Sequence, residues 1–429
     1  MTAYSRRDFL KLAGVASSLS ALGLTPFAAR GEAPKARVVV IGGGYGGTIA
    51  AKYLRMADPN IQVTLIEKDK AFISCPLSNE VLSGEREIKS LTFGYDTLAK
   101  KYGVEVVIDE VVEIDPAGKQ VKVAGGKAFG YDKLIVSPGV DFKYEAITGY
   151  SQAVAEKEMP HAWKAGPQTL LLRKQITAMP NGGKLIIVAP PNPFRCPPGP
   201  YERAAQIAHY FKKHKPKAKI LILDPKDAFS KQGLFQTGWK QYYGDMIEWV
   251  PAAQGGAVEA VDAAAMTVQA QIEEFKADVV NVIPPQQAGA IAHAAGLADA
   301  KGWCPVDQRS FESTIHKDVY VIGDACVAGA LPKSGYAANS EAKVAAAAIV
   351  ALVNAVELPE PSYVNTCYSV IAPDYGVSVA GVYRLEEGVI TSVPDSGGVS
   401  PASAAPRVRA LEAQNAHGWF KNITGDMFT

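Results

Sequence analysis

The stretch KARVVVIGGGYGGTIAAKYLRMADPNIQVTLIEKD, residues 35–69, is a complete strand–turn–helix–strand unit. RVVVI reads as a fully buried strand, GTIAAKYLRMA as a helix and QVTLIE as a second strand. Gly42, Gly44 and Gly47 form G-x-G-x-x-G between the first strand and the helix. Gly42 permits the tight turn, Gly44 lets the backbone approach a pyrophosphate, and Gly47 lets helix and strand pack closely. The helix N-terminus adds free N–H groups and the positive end of a dipole. Glu67 closes the second strand, where an acid binds a ribose 2′-hydroxyl and disfavours a 2′-phosphate. The unit is therefore read as dinucleotide-binding, and the motif alone does not choose between NAD and FAD.

Two distant pieces bear on that choice. YDKLIVSPG (131–139) and DVYVIGDACVAG (318–329) are each a strand with a turn. Gly323 and Asp324 resemble the signature of two-domain flavoproteins whose aspartate holds the FAD ribityl chain, and 131–139 resembles the strand that returns to the same domain. Flavoproteins of that kind insert a second Rossmann-like domain for a nicotinamide. GKLIIVAPP (183–191), RAAQIAHYFKKH (203–214) and AKILILDP (218–225) supply its strand, helix and strand. Its phosphate loop is replaced by PFRCPPGPYE (193–202), with Cys196 among Pro193, Pro197, Pro198 and Pro200. Proline has no N–H to grip a phosphate, and Cβ atoms block a close backbone approach. This domain is expected to bind no nicotinamide, so electrons enter another way.

The chain has 429 residues, 48% hydrophobic and 20% charged, with a formal net charge of +1. That length implies two or three domains. The balanced charge points to no nucleic acid and no strongly anionic partner. SRRDFLKLAG (5–14), with paired Arg6 and Arg7, precedes a short apolar run and a small-residue zone. This is the pattern of a twin-arginine export signal over residues 1–33, and it implies a periplasmic destination. The run 344–353, VAAAAIVALV, is too short to span a bilayer and reads as a buried core helix, so no stable membrane insertion is expected.

The five cysteines are Cys75, Cys196, Cys304, Cys326 and Cys367. None forms C-x-x-C or the haem-attaching C-x-x-C-H, and the six histidines form no ligand cluster, so no metal site is expected. Cys304 and Cys326 read as inert buried residues or as a pair with each other.

SCPLSNEV (74–81), PHAWKAG (160–166), PFRCPPGPYERA (193–204), FKADVVNVIPPQ (275–286), GWCPVD (302–307), PKSGYAANS (332–340), PSYVNTCYS (361–369) and SVPDSGGV (392–399) together resemble the flavoprotein subunit of flavocytochrome c sulfide dehydrogenase. The resemblance runs over about 34–429. It implies an α/β fold of the disulfide-reductase-like flavoprotein type, with two Rossmann-like domains and a C-terminal α+β interface domain. The FAD domain would comprise 34–150 and 297–355, the inserted domain 151–296, and the flavin- and partner-facing domain 356–429. It further implies that Cys75 bonds covalently to the flavin, although Pro76 departs from the bulkier aromatic of some relatives. Cys196 and Cys367 would be halves of a redox-active disulfide, Glu202 a carboxylate beside it, and Trp419 an aromatic packed by the flavin ring. Lys333 and the helix opening at Gly335 and Tyr336 would face the flavin pyrimidine. Hydrosulfide would attack one of the two cysteines, the flavin would take the electron pair, and a c-type cytochrome subunit, carrying the haem, would receive the electrons within a heterodimer.

Plainer readings stand beside these. Cys196 and Cys367 could form a purely structural disulfide, Cys75 could be unmodified, and Glu202 could cap the helix after it. The nearest functional rival is a sulfide:quinone reductase, which needs an apolar C-terminal surface. Trp419, Phe420, Ile423 and Met427 share a helical face there, with Gly425 expected to interrupt the segment. An NADH dehydrogenase and a catalytically silent electron-transfer flavoprotein stand further off.

Overall fold

In the computed structural model, which describes residues 33–429, the opening stretch forms the centre of a five-stranded parallel sheet. Ala36–Ile41 lies between Ile61–Glu67 and Lys133–Val136, with Glu105–Ile108 and Val319–Val321 on the two edges. The central strands are runs of valine, isoleucine and leucine because both faces are covered. Val38, Val40, Leu65 and Leu134 are each at most 1% exposed. Burial of each such side chain is worth about 1.5–3 kcal/mol. The helix Gly47–Ala57 packs on this sheet beside the helix Gly335–Val353. The apolar run 344–353 is thus the second half of a 19-residue helix, long and apolar enough by composition to cross a membrane. Ala342, Ala345, Ala346 and Ile349 are buried in the same core as the sheet.

A second parallel sheet has the order Ile247–Val250, Lys219–Leu223, Lys184–Val188, Val279–Val282. It is the inserted Rossmann-like layer. The chain returns from it earlier than the sequence suggests. Gln286–Ala288 pairs antiparallel with Val140–Phe142, so residues after 286 already belong beside the first sheet rather than only those from 297. Ser362–Ala372 and Tyr375–Glu386 then form a long antiparallel hairpin, extended by Val389–Ser392.

The helix Pro406–Phe428 lies against that hairpin and against the helix Gly47–Ala57. It runs unbroken through Gly425, contrary to the expected interruption. Phe420, Ile423, Met427 and Phe428 are buried, and Phe428 stacks on Phe93 with ring centres 5.0 Å apart. The apolar face is core. Residues 35–429 form one compact unit. Residues 1–32 of the expected export signal lie outside the described residues.

Candidate active site

The glycine loop has the geometry its spacing demands. Gly42 has φ +94°, a conformation open to glycine. A Cβ on Gly47 would sit 1.8 Å from the carbonyl oxygen of Gly42, so no larger residue fits there. At Gly44 the nearest atom to such a Cβ is a Phe72 ring carbon at 3.5 Å, leaving the backbone open on that side. Glu67 lies beside the loop, where its carboxylate accepts the Gly43 N–H at 2.6 Å.

Asp324 lies in the short turn Gly323–Ala325 that follows the strand Val319–Val321, and its side chain is 12% exposed. Its Oδ1 is buried without a hydrogen-bond partner among the described residues. Burial pushes its carboxyl above the usual range, against the pull of Arg195 and Lys333. A buried carboxylate oxygen without a partner is costly, and a ribityl hydroxyl would satisfy it. The open glycine loop, Glu67 and this orphaned oxygen fit a dinucleotide cofactor of the FAD type.

Three cysteines from three distant stretches line one cavity: Cys75, Cys196 and Cys367. Glu202, Trp419, Ser334, Gly335 and Tyr336 line it too. All five cysteines of the chain are free thiols in this structure. Cys75 accepts the Ala165 N–H at 3.4 Å and lies 3.5 Å from Nη2 of Arg195. Cys196 has φ +59°, a strained conformation for a residue with a side chain. Its N–H donates to the carbonyl of Lys333, and its own carbonyl accepts from Gly199. Burial and the nearby Glu202 push the Cys196 thiol well up.

Glu202 lies in the first turn of its helix, as the plainer reading has it, but makes no capping bond there. The helix begins at Gly199, four residues before the predicted segment, with Pro200 in its first turn. From that turn the carboxylate reaches across to accept the Val370 N–H at 2.8 Å and the Asn79 amide at 3.2 Å. Burial raises its pKa, opposed by the Val370 N–H, Lys231 and Asn79. Trp419 is half-buried in the cavity wall, its Nε1 without a partner among the described residues.

Lys333 stands just before the helix cap Ser334. Its ammonium donates to the carbonyls of Asp324 at 2.7 Å and Cys326 at 2.8 Å, over the ring of Trp303. It lines a neighbouring cleft of about 410 Å³ with Asp299, Trp303 and Glu341, while Gly335 and Tyr336 remain on the cysteine side. The helix opening is built by Ser334, whose Oγ accepts the Ala337 N–H and donates to Asn365. Asn365 in turn donates to Cys367 Sγ at 3.5 Å.

Sequence reasoning passed over three cations of the site, of which Arg203 and Lys231 are buried and Arg195 is half-buried. Arg203 donates to Asn79, Asn281 and the carbonyls of His161 and Ala162, and lies over the ring of Trp163. Burial lowers its pKa to about 10. Arg195 lies 3.9 Å from Asp324 and bonds the Trp163 carbonyl. Lys231 donates to Ser369 Oγ at 2.9 Å and to the Cys367 carbonyl at 3.3 Å. The two arginines flank signals already noticed, Cys196 and Glu202. Lys231 has no such neighbour. His161, also buried here, is held neutral, its pKa lowered to about 3 by burial and by Arg203.

The two parallel-sheet layers, the dinucleotide loop and the thiol cavity define a flavoprotein oxidoreductase of the disulfide-reductase type. The family model described as pyridine nucleotide-disulphide oxidoreductase matches residues 36–166. The model for the sulfide dehydrogenase [flavocytochrome c] flavoprotein chain, central, matches 169–284, and that for flavocytochrome c sulphide dehydrogenase, flavin-binding, matches 359–428. The chain belongs to the family of flavocytochrome c sulfide dehydrogenase flavoprotein chains.

It is 62% identical over 45 residues to the sulfide dehydrogenase [flavocytochrome c] flavoprotein chain of Chlorobaculum thiosulfatiphilum, covering 10% of this chain and 94% of that one. It is 25% identical over 308 residues to the mitochondrial sulfide:quinone oxidoreductase of Mus musculus, covering 67% of this chain and 65% of that protein's length. The solved sulfide:quinone oxidoreductase of Aquifex aeolicus has a similar fold, with a TM-score of 0.69 and 19% identity over 91% of this chain and 92% of that one.

Proposed function

We propose that this protein oxidises hydrosulfide through Cys196 and Cys367 and a bound FAD, and delivers the electrons to a c-type cytochrome subunit. The observation that carries the reading is the convergence of Cys75, Cys196, Cys367 and Glu202 on one cavity beside the dinucleotide site. In the oxidised state Cys196 and Cys367 are joined. Hydrosulfide attacks one sulfur, a sulfur–sulfur bond forms to the substrate, the Cys196–Cys367 bond breaks, and the other cysteine leaves as thiolate. A second hydrosulfide removes the sulfane sulfur as hydrodisulfide. The remaining thiol and thiolate rejoin, releasing two electrons and one proton. Flavin, when bound, takes electrons in a pair and gives them up singly, which suits a one-electron acceptor.

The chain's own residues do the rest. Cys75 would attach the cofactor. Asp324 and the glycine loop would hold its ribityl and pyrophosphate parts. Glu202, half-buried and lining the same cavity as the pair, takes the proton. Arg195 and Arg203 set a positive field for an anionic substrate. The export pattern of residues 5–24 goes with periplasmic work beside such a cytochrome.

A quinone acceptor is the second reading, favoured by the likeness to sulfide:quinone oxidoreductases. Anaerobic titration tests both. Sulfide is expected to bleach the flavin absorbance and NADH is not, and reoxidation by cytochrome c rather than by a soluble quinone is expected. Bleaching by NADH alone overturns the reading. Rapid reoxidation by quinone alone moves it to the second.

A further inference from the structure

Lys231 is the residue before the helix Gln232–Tyr243, and it holds φ +63°. Its side chain is buried, and the residue is 7% exposed. The ammonium makes no ion pair with a carboxylate among the described residues; it donates to Ser369 and to the Cys367 carbonyl. A buried ammonium without a counter-charge is expensive. The groups that face it are Cys367 on the hairpin strand, Glu202 on the helix Gly199–His214, Cys196 in the loop before it, and Glu412 on the C-terminal helix.

Both carboxylates already have partners. Glu202 is held by Asn79 and the Val370 N–H, and Glu412 by Arg409, Ser378 and Ser400. The other cations near the sulfurs are engaged as well. Arg203 spends its donors on Asn79, Asn281 and two carbonyls, and Arg195 lies between Trp163 and Cys75. What the ammonium lacks is an anion that forms only when the cysteine pair opens.

We propose that Lys231 is the counter-ion of the Cys196–Cys367 pair, offsetting the thiolate released on cleavage while its hydrogen bonds hold the Cys367–Ser369 segment in place. It is a positioning residue, acting through the sulfurs rather than on substrate. The proposal rests on the reading of Cys196 and Cys367 as a reactive pair. Burial lowers the amine's own affinity for a proton and the facing groups, Cys367 first, offset this only in part, so the charge is coupled to the state of the sulfurs.

The test uses the full-length flavoprotein, reduced with excess phosphine. Alkylation by iodoacetamide is followed from pH 6 to 10, with peptide mass spectrometry reading Cys196 and Cys367 separately. Lys231→Met is expected to raise the midpoint of the more reactive of the two by about one unit, a roughly tenfold slower reaction at pH 7. Lys231→Arg is expected to recover most of that shift. Ser369→Ala, which removes a hydrogen-bond partner and leaves the charge, is expected to leave the midpoint in place. If Lys231→Met does not fold, Lys231→Gln keeps a donor for Ser369 and carries the same expectation. A wild-type midpoint in the Met or Gln variant overturns the proposal. So does a Ser369→Ala shift as large as theirs, which would make Lys231 a strand anchor alone. No sulfide is used, so failure here is distinct from failure of the sulfide titration.

Discussion

The backbone N–H of Cys196 donates to the carbonyl of Lys333 at 2.9 Å. That bond ties the loop of the inserted layer to the residue just before the cap of the helix Gly335–Val353, and so to the dinucleotide layer. It holds a cysteine in the left-handed region, at φ +59°. The loop that lost its phosphate grip has become a mount for a sulfur.

Cys196→Ser keeps the N–H and the size of the side chain and removes the exchangeable sulfur. Sulfide-driven flavin reduction is expected to fall roughly a thousandfold or more, as for loss of a nucleophile. The flavin content and the melting temperature should stay near wild type. Cys367→Ser should behave alike, because either half alone cannot form the pair. Stopped-flow absorbance under anaerobic sulfide checks both, and retention of fast reduction in either one would remove the disulfide route.

Gly199 lies beneath that mount. A Cβ there would come 2.5 Å from the ring of Trp163 and 3.2 Å from Cys196 Sγ. Trp163 is 5% exposed and cannot withdraw. Gly199→Ala is expected to cost about 1–3 kcal/mol of stability and to slow sulfide reduction through the displaced sulfur. Gly233→Ala, in the next helix with nothing within 4 Å of its Cβ, is the control, and it should be neutral or stabilising by up to about 1 kcal/mol. Denaturant titration of the two variants gives the comparison.

Much of this was legible in the chain itself, for reasons that differ by residue. Gly42 and Gly47 announce themselves because the turn and the helix–strand contact leave no room for a Cβ. Cys196 announces itself by standing where a phosphate loop would need N–H groups. The bonds of Lys333 were not legible, because a long side chain's start says little about where its end points; the ammonium turns to the carbonyls of Asp324 and Cys326. The return at Gln286–Ala288 was missed because a three-residue strand with two glutamines carries no apolar signal, and its pairing with Val140–Phe142 is set by tertiary contact. The helix start at Gly199 was missed because Pro200 reads as loop, although proline suits a first turn. Lys231 meets Cys367 only across 136 residues of chain.

Glu202 sets a pH expectation. Burial holds its carboxyl above the usual value near 4.5, so the proton returns to it at a higher pH than for an exposed glutamate. As the proposed proton acceptor, it should stop working as the pH falls through its raised value. At a fixed concentration of hydrosulfide, reduction is therefore expected to show an acid limb that disappears in Glu202→Gln, with the rate at pH 7 lowered about 10–100-fold. The pH profile of stopped-flow reduction checks this. An unchanged acid limb in the variant would assign the proton to another group.

Cys304 and Cys326 are partners in register across two short parallel strands, and both are buried. Burial pushes the Cys304 thiol up to about 12 and Cys326 well above the ordinary range. Thiols held protonated are poor nucleophiles. Neither is expected to react with iodoacetamide in the native protein at pH 7–8, and both should label after unfolding without reductant. A 304–326 linked peptide in mass spectrometry would contradict the inert reading.

His417 on the C-terminal helix bonds to Glu80, which also pairs with Arg86 at 2.8 Å. The contact joins the wall that carries Trp419 to the segment that follows Cys75. The Glu80 bond raises the His417 pKa, burial and Arg86 opposing it and the more distant Glu202 adding to it. The folded value lies above the unfolded one near 6.5, so the folded state holds the proton more tightly. The stabilisation is fully present below about pH 6.5 and is lost as the pH rises through the folded value. The side chain is 42% exposed, so solvent screens the pair and its worth stays at or below about 1 kcal/mol. The melting temperature of wild type minus His417→Ala should therefore be about a degree or two at pH 6 and shrink toward zero by pH 9. A difference that is constant with pH would mean that His417 holds the helix by packing and not by its charge.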